Sequence, residues 1–178
     1  MQKVVALALA LMTSLPAIAE NAPTVARLED GLEFGDLLVV GEAELITMPE
    51  LDVAWRGRID SGATTTSLHA IDIEEFERDG DKWIRFKTRN EALGSEIALE
   101  RKVVRTAQIK RRGGEAVSSR PVVLMEIKIG SVSQMAEVNL TDRTDFEFPV
   151  LIGRNVLSGK MLIDVSRAYV HAPAKEER

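Results

Sequence analysis

The chain has 178 residues, of which 45% are hydrophobic, 29% charged and only 4% aromatic, and its formal net charge is −5. This length suffices for one compact domain but not for two full lobes, and the negative charge disfavours a sequence-independent nucleic-acid binder. The absence of cysteine excludes disulfides, thiolate nucleophiles and cysteine metal sites, and two histidines leave little imidazole chemistry. Any catalysis must therefore rest mainly on carboxylates, hydroxyls or cations.

Residues 1–19 have the pattern of a signal peptide. Lys3 gives a positive start, an apolar run follows over residues 4–15, and small residues at Ala17 and Ala19 form an A-x-A cleavage site. The run is shorter than the roughly 20 residues that span a bilayer, so an uncleaved anchor is the less favoured alternative. We therefore expect cleavage after Ala19 and export to a bacterial periplasm.

Three further segments follow the signal peptide. Residues 20–38 are acidic and irregular and are interpreted as an N-terminal extension, whereas residues 39–172 have the pattern of a folded domain. The charged residues 173–178 are expected to form a tail without regular structure.

Short runs that alternate apolar and polar residues predict a series of β-strands in this domain. Trp55, Gly57 and Ile59 share one parity, and Arg56 and Arg58 share the other, as in a strand with one buried face. The same alternation recurs at 84–86, 123–129 and 136–140, and turn residues stand at 79–81 and 130–131. Many short strands at regular spacing predict an all-β fold with a closed or nearly closed barrel.

Helix is expected to be scarce. The segments 71–76 and 155–157 could each form about one helical turn, but neither sustains a period of 3.6 residues. The sequence therefore predicts at most short helical pieces between the strands.

The tetrapeptide Asp60-Ser61-Gly62-Ala63 comes directly after the strand that ends at Ile59. A carboxylate followed by a hydroxyl and a glycine is typical of an acid held in a tight turn, because glycine permits a close fold. Two such carboxylates brought together share one proton and supply a general acid and a general base. An Asx turn that closes a hairpin is the alternative for so short a motif.

Two later segments resemble parts of the retroviral-type aspartic proteases. Residues 148–157 form an apolar run that leads into Ile152, Gly153 and Arg154, which resembles the apolar-Gly element of those enzymes. A basic segment tipped by two glycines stands where their flap would lie, and it consists of Lys110, Arg111, Arg112, Gly113 and Gly114. The order Asp-Ser-Gly, flap and apolar-Gly-Arg is also that of the retropepsins.

A narrower resemblance extends from about residue 39 to residue 169. The chain resembles a bacterial retropepsin-like family that is often labelled ATP-dependent zinc protease and occurs near ATP-grasp glutamate ligases. Two positions depart from that family, since Ser61 stands where threonine is usual and Thr64 where lysine or arginine is usual. The blocks that carry the resemblance are 58–63, 68–70, 83–86, 120–123, 140–143 and 149–157.

The resemblance implies a closed acid-protease barrel with one short helix and an active site shared by two subunits. A retropepsin site needs two aspartates, and the chain holds one Asp-Ser-Gly, so a C2 homodimer with Asp60 from each subunit is implied. Ser61 would interlock the two loops, Gly62 and Ala63 would shape the floor, and residues 110–114 would close over a peptide. The basic flap tip would favour acidic peptides, with a solvated hairpin end as the alternative.

The ATP and zinc of the family label find no motif in the sequence. The phosphate-binding loop G-x-x-x-x-G-K-[ST] is absent, and His69 and His171 lack the H-E-x-x-H spacing of zinc proteases. We expect His69 to be packed or to cap a turn and His171 to be exposed. We therefore expect neither a cofactor nor a metal site.

Several other residues are interpreted as structural. Asp142 and Asp145 flank Arg143 and predict an ion-pair network or a turn, and Arg154 is expected to brace the fold through an internal carboxylate. Three methionines are expected to fill the core, namely Met125, Met135 and Met161.

The favoured hypothesis is a periplasmic aspartic endopeptidase that hydrolyses peptide bonds in a peptide or protein substrate, as a homodimer. One alternative is a non-catalytic barrel of the same fold that binds a peptide or a membrane-protein partner. Another is the zinc-dependent peptidase that the family label suggests. An accessory protein that assembles the dimer is a further partner class, whereas nucleic acid is not expected to be a partner.

Overall fold

The computed structural model describes residues 33–34, 37–51, 53–90, 94–109 and 118–171. The signal peptide, most of the N-terminal extension, the flap tip 110–114 and the charged tail lie outside these ranges. No helix in the described ranges is long and apolar enough to cross a bilayer. The described elements are β1 (Glu33–Phe34), β2 (Leu37–Gly41), β3 (Ala43–Met48), a 3-10 turn (Pro49–Leu51), β4 (Val53–Ile59), β5 (Thr66–His69), β6 (Ile71–Arg78), β7 (Asp81–Asn90), β8 (Ser95–Ile109), β9 (Ser118–Ile129), β10 (Val132–Thr141), β11 (Val150–Ile152), α1 (Arg154–Leu157) and β12 (Met161–Asp164).

Six strands close into a barrel, which confirms the predicted all-β retropepsin-like fold. Their order is β10-β5-β11-β4-β3-β9, and β9 pairs back with β10 through an antiparallel hairpin that turns at Gly130. The strands β8, β7 and β6 continue outward from β9 as a flank, and β1, β2 and β12 form a separate small sheet.

The barrel interior follows the alternation seen in the sequence. On β4, Trp55 and Ile59 are buried whereas Arg56 and Arg58 are exposed. The apolar positions of β7, β9 and β10 are buried in the same way, because successive side chains of a strand point to opposite faces. The barrel is filled by a continuous apolar core that positions the strand ends and their loops.

The hairpin between β6 and β7 is closed by the predicted turn. Asp79 and Gly80 have φ angles of 54° and 80°, both in the left-handed region. Two successive residues of this kind are typical of the type I′ turn that joins twisted antiparallel strands. The turn prediction for residues 79–81 is confirmed.

Two predictions about secondary structure and packing need correction. The segment 71–76 forms the strand β6 rather than a helical turn, because it pairs with β7 along the flank. Met135 is 60% exposed, since it lies on the outward face of β10 while Ala136 faces the core. The helical turn expected at 155–157 is present as α1.

A buried carboxylate ties the end of the described chain to the barrel. Glu44 is fully buried and accepts backbone N–H groups from Gly41 at 2.7 Å, Val170 at 3.2 Å and His171 at 3.2 Å. The His171 ring is half-buried, with its Nε2 2.7 Å from the carbonyl oxygen of Val39, so the expectation that His171 is exposed is wrong. The carboxylate and the ring together hold this segment against β2 and β3.

Candidate active site

Asp60 lies at the carboxyl end of β4, where the barrel strand passes into a loop. Its backbone N–H donates to the carbonyl of Ile152 on the parallel neighbour β11, at 2.9 Å. The residue is half-buried, whereas Ser61 and Gly62 are exposed. The tetrapeptide 60–63 and the apolar-Gly segment 148–157 therefore meet at one end of the barrel.

The loop wraps around one oxygen of the Asp60 side chain. Oδ1 accepts the backbone N–H of Gly62 at 2.8 Å and that of Ala63 at 3.2 Å. A Cβ atom at position 62 would lie 3.0 Å from this oxygen, so the close approach favours glycine. Oδ2 accepts no hydrogen bond from any residue that the structure describes.

Arg154 fastens the loop from the side of α1. Its guanidinium donates to the carbonyls of Ser61 at 3.0 Å and Gly62 at 2.9 Å, and to the hydroxyl of Thr64 at 2.9 Å. The expected carboxylate partner is replaced by these loop oxygens, because the guanidinium faces the Asp60 loop. Arg154 thus fixes the loop backbone rather than forming an internal ion pair.

Thr66 and Asn155 form a second link, which the sequence analysis did not assign to the site. The Asn155 Oδ1 accepts both the backbone N–H and the hydroxyl of the fully buried Thr66, at 2.8 and 3.0 Å. The same Thr66 hydroxyl accepts the N–H of Gly153 at 3.1 Å. A Cβ atom at position 153 would lie 2.8 Å from the Thr65 backbone, so glycine is required for this packing. In the sequence, the only indication of this link is a polar residue, Asn155, that follows Gly153 and Arg154 within an apolar run.

The turn that follows β10 separates its charged residues instead of pairing them. Asp142 Oδ1 accepts the N–H and hydroxyl of Thr144 at 2.8 and 2.6 Å, and these bonds hold the pKa of Asp142 below its usual range. Arg143 turns inward, is 7% exposed, and donates from Nε to the carbonyl of Phe148 at 3.0 Å. The predicted turn is therefore present, and an ion pair between Arg143 and its neighbour Asp142 is not formed.

The pKa of Arg143 is lowered although the Asp60 charge acts in the opposite direction. Burial lowers the pKa of Arg143, with Arg120 acting in the same direction, and the Asp60 carboxylate opposes both effects. No local sequence pattern indicates that Arg143 is buried.

His69 is packed at the far end of β5, as expected. Its Nδ1 accepts the backbone N–H of Arg143 at 3.0 Å. Burial lowers the pKa of His69, and the cations of Arg143 and Arg89 act the same way, while Asp142 partly offsets them. In the part of the chain that the structure describes, no three histidine, aspartate or glutamate residues are grouped to hold a metal ion.

The predicted flap tip from Lys110 to Gly114 lies outside the described residues. The two strands that lead into it are described, and β8 and β9 remain paired as far as Ile109 and Ser118. Both strands belong to the same antiparallel hairpin, which extends from the barrel.

Comparison with known proteins identifies the family. A family model described as "Retropepsin-like aspartic endopeptidase RimB" matches residues 39–174. The chain belongs to the RimB-like family. The Asp60 loop, β11 and α1 of this RimB-like chain all lie within the matched residues.

Two curated relatives carry a different name. The RimB-like chain is 34% identical over 134 residues to a "Probable alpha-L-glutamate ligase" of Shewanella halifaxensis, covering 74% of the chain and 29% of that protein. It is 31% identical over 156 residues to a protein of the same name from Parasynechococcus marenigrum, covering 79% and 33%. The chain thus spans about a third or less of the length of these relatives.

A solved structure also resembles the RimB-like chain. The crystal structure of protein Lpg0085, of unknown function, from Legionella pneumophila has a TM-score of 0.63 and 29% sequence identity. The match covers 74% of this chain and 95% of the Legionella chain. The two proteins therefore share the fold over nearly all of the Legionella chain.

Proposed function

We propose that this RimB-like protein is an aspartic endopeptidase whose active site is built from the Asp60 carboxylates of two copies. The observation that carries the proposal is the Asp60 loop, in which Oδ1 is held by two backbone N–H groups. The side chain is thereby oriented, while Oδ2 has no partner among the described residues. Membership of a family of retropepsin-like aspartic endopeptidases supports the same reaction.

The requirement for two copies follows from the chemistry. Peptide hydrolysis needs a general base that removes a proton from water and a general acid that protonates the substrate. One Asp-Ser-Gly loop supplies one carboxylate. In a C2 dimer the same loop from each copy meets at the axis. The exposed Ser61 and Gly62 are the loop residues available for such a contact.

In the proposed reaction the two Asp60 carboxylates share one proton. The ionised one removes a proton from water, and the water oxygen forms a bond to the peptide carbonyl carbon. The protonated one donates its proton to the carbonyl oxygen as the tetrahedral intermediate forms. Collapse of the intermediate breaks the C–N bond. The carboxyl group that took its proton from water now gives a proton to the leaving nitrogen, and the other carboxylate removes a proton from a hydroxyl of the intermediate as the carboxylic acid product forms. Arg154 contributes by holding the loop, without contacting the reacting atoms.

The location proposed for this reaction is the bacterial periplasm. The support is the signal-peptide pattern of residues 1–19. Fractionation of cells that express the full chain tests it, and N-terminal sequencing of the exported form should begin at Glu20. A full-length chain retained in the cytoplasm would contradict export.

The name of the longer relatives suggests which substrates to test first. We propose that their ligase activity resides in the part that this chain does not match, and that the shared segment is a peptidase module. Peptides containing glutamate are then the first substrates to try. Incubation of the purified chain with ATP, glutamate and an acceptor peptide is expected to give no mass increase, and glutamate addition would overturn this assignment.

Asp60→Asn tests the endopeptidase directly. The variant keeps an oxygen for the loop N–H groups, so it should fold normally while peptide cleavage falls by about a thousandfold or more. Asp145→Asn, an exposed carboxylate of the turn after β10, is the matched control and should cleave like the wild type. Cleavage that persists in Asp60→Asn contradicts the proposal, and inhibition by chelators but not by a statine-type inhibitor would favour the zinc peptidase instead.

The shared active site has its own measurement. Wild-type protein mixed with excess Asp60→Asn protein should lose activity as mixed dimers form, and sedimentation should show a dimer at the working concentration. A monomer that cleaves at full rate would overturn the two-copy site while leaving the role of Asp60 intact.

A further inference from the structure

Arg105 on β8 reaches over the neighbouring strand β9 to β10 and to the Asp60 loop. Its Nε and Nη2 lie 2.8 and 2.6 Å from one oxygen of the Glu137 carboxylate on β10. Nη2 also donates to the hydroxyl of Thr65, at 3.4 Å. Thr65 is the last residue of the Asp60 loop before β5 begins. We refer to these three side chains as the Arg105 link.

A β-bulge in β8 turns Arg105 in this direction. Val103 pairs with Val123 on β9, and Arg105 pairs with Val122, so β8 contains one extra residue, Val104. In a regular strand, residues two apart face the same side, and Arg105 would then share the side of Val103, which packs against the core. Bulges re-aim side chains in this way and are frequent beside active sites. The extra residue therefore directs Arg105 away from the core, to the side on which it meets the Asp60 loop.

A second route through Glu137 leads from β8 to the same end of the loop. The backbone carbonyl of Glu137 accepts a side-chain N–H of Asn155 at 2.8 Å. The Oδ1 atom of Asn155 holds Thr66, which follows Thr65 in the chain. Arg105 is thus connected to the end of the loop directly at Thr65 and also through Glu137 and Asn155.

The stability of the fold does not account for the Arg105 link. The side chains of Arg105 and Glu137 are 42% and 41% exposed, and an ion pair at this exposure contributes little because water and salt screen the charges. Among the described residues, no backbone hydrogen bond joins β8 to the Asp60 loop. The consequence of the link is therefore geometric, because it fixes the relative position of two segments that the backbone leaves unconnected.

We propose that Arg105 is a positioning residue that holds the Asp60 loop at a fixed position relative to the hairpin of β8 and β9. The proposal rests on the endopeptidase function proposed above and adds to it a residue that acts through Thr65, without touching the reacting atoms. Beyond Arg105 the hairpin continues to its last described pair, Ile109 and Ser118. A peptide bound between this hairpin and the loop meets Asp60 at a distance that the link sets, and small displacements of reacting groups are costly to the rate.

The kinetics of Arg105→Gln test the proposal on a glutamate-containing peptide. We expect kcat to fall by about fivefold to tenfold and KM to change by less than about twofold, because alignment rather than affinity is lost. Lys102→Gln is the matched control, since it breaks an exposed ion pair of the same strand with Asp81. It should lower the melting temperature as much as Arg105→Gln while keeping the wild-type kcat. An unchanged kcat in Arg105→Gln, or an equal loss in Lys102→Gln, would overturn the proposal.

Exchange of the two charges separates positioning from a general disturbance of β8. Arg105→Glu alone should lose at least as much kcat as Arg105→Gln, because two carboxylates then face each other. The double variant Arg105→Glu/Glu137→Arg restores the ion pair, and its new carboxylate can accept the Thr65 hydroxyl. We expect it to recover at least about half of the wild-type kcat. A folded double variant without any recovery would contradict the role of the link.

Hydrogen exchange over residues 60–66 follows the loop without turnover. Exchange should be about tenfold faster in Arg105→Gln than in the wild type and unchanged in Lys102→Gln. Loop exchange that responds to Arg105, in a protein without Asp60-dependent cleavage, would overturn the endopeptidase and retain the structural role of the link. Asp60-dependent cleavage with unchanged kcat and unchanged exchange in Arg105→Gln would do the opposite.

Discussion

The Asp60 loop and the flank made of β6, β7 and β8 both use many polar side chains, but they use them differently. In the loop, Arg154 and Asn155 reach backbone groups of the neighbouring segment, and part of this network is buried. On the flank, side chains pair with side chains in solvent, as in the contacts of Glu100 with Arg78 and Arg85. The contacts in the loop fix the path of the backbone. The ion pairs on the flank lie on strands whose backbones are already paired.

The difference is one of energetic consequence. A buried donor that loses its acceptor costs about 1–3 kcal/mol, because water cannot replace the lost bond. An exposed ion pair contributes little, since water and salt screen the charges. The number of polar contacts in a region is therefore a poor guide to its stability. The important question is whether breaking a contact leaves a buried group without a hydrogen-bond partner.

Among the variants that break contacts in these two regions, the largest loss of stability is expected from Asn155→Ala. The N–H and hydroxyl of buried Thr66 would lose their acceptor, so the free energy of unfolding should fall by about 1–3 kcal/mol. Peptide cleavage should fall as well, because Thr66 also holds Gly153 beside the loop. Thermal unfolding and kcat/KM test this, with Gln134→Ala, whose amide contacts α1 at Val156, as a milder control. Equal losses of stability in Asn155→Ala and Gln134→Ala would contradict a special role for the contacts of the Asp60 loop.

Arg154→Lys should affect activity more than stability. A lysine cannot contact Ser61, Gly62 and Thr64 together, so the loop should loosen at an exposed site. We expect kcat/KM to fall between about tenfold and a hundredfold, since small displacements of catalytic groups are costly to the rate. The melting temperature should fall less than in Asn155→Ala. Unchanged kinetics would show that this brace is dispensable.

A smaller effect is expected from the pH dependence of His69. Because burial holds its pKa below 6.5, the unfolded chain binds a proton there before the folded chain does. Stability should therefore fall as pH drops below about 6.5 and level off below the folded pKa. His69→Asn keeps an acceptor for the Arg143 N–H and removes the titration. As pH drops from about 7.5 to about 5, the melting temperature should fall less in the variant than in the wild type. Equal decreases would contradict the assignment to His69.

Glu100→Gln should have the smallest effect. The carboxylate contacts Arg78 and Arg85 on the exposed flank, and these contacts lower its pKa. We expect a smaller loss of melting temperature than in Arg154→Lys, no change in kcat/KM, and no difference from the wild type at high salt. A large loss of stability would show that the flank depends on its ion pairs after all.

Much of the barrel could be predicted from sequence because its strands have one buried and one exposed face. The alternation of Trp55 and Ile59 with Arg56 and Arg58 indicates such a strand without any tertiary information. The segment 71–76 shows the limit of this reasoning. It is an exposed edge strand with no buried stripe, so its conformation depends on pairing with β7.

The candidate site was predictable only where its residues form a local motif. Asp60 to Ala63 and Ile152 to Arg154 stand in two short runs, and the barrel brings the runs together. The burial of Arg143 could not be predicted this way, because an arginine flanked by Asp142 and Asp145 predicts a surface ion pair. Its burial depends on Phe148, on Phe146 and on His69 from another strand.

The clamp made by Glu44 and His171 has a consequence for how this fold can be built into larger proteins. With the His171 ring 2.7 Å from the Val39 carbonyl, the first residue of the family match lies beside the last residue that the structure describes. A domain whose two ends meet can be spliced into another polypeptide, or joined to one at either end, without stretching its barrel. This geometry suits a fold that also recurs as a minor fraction of much longer chains.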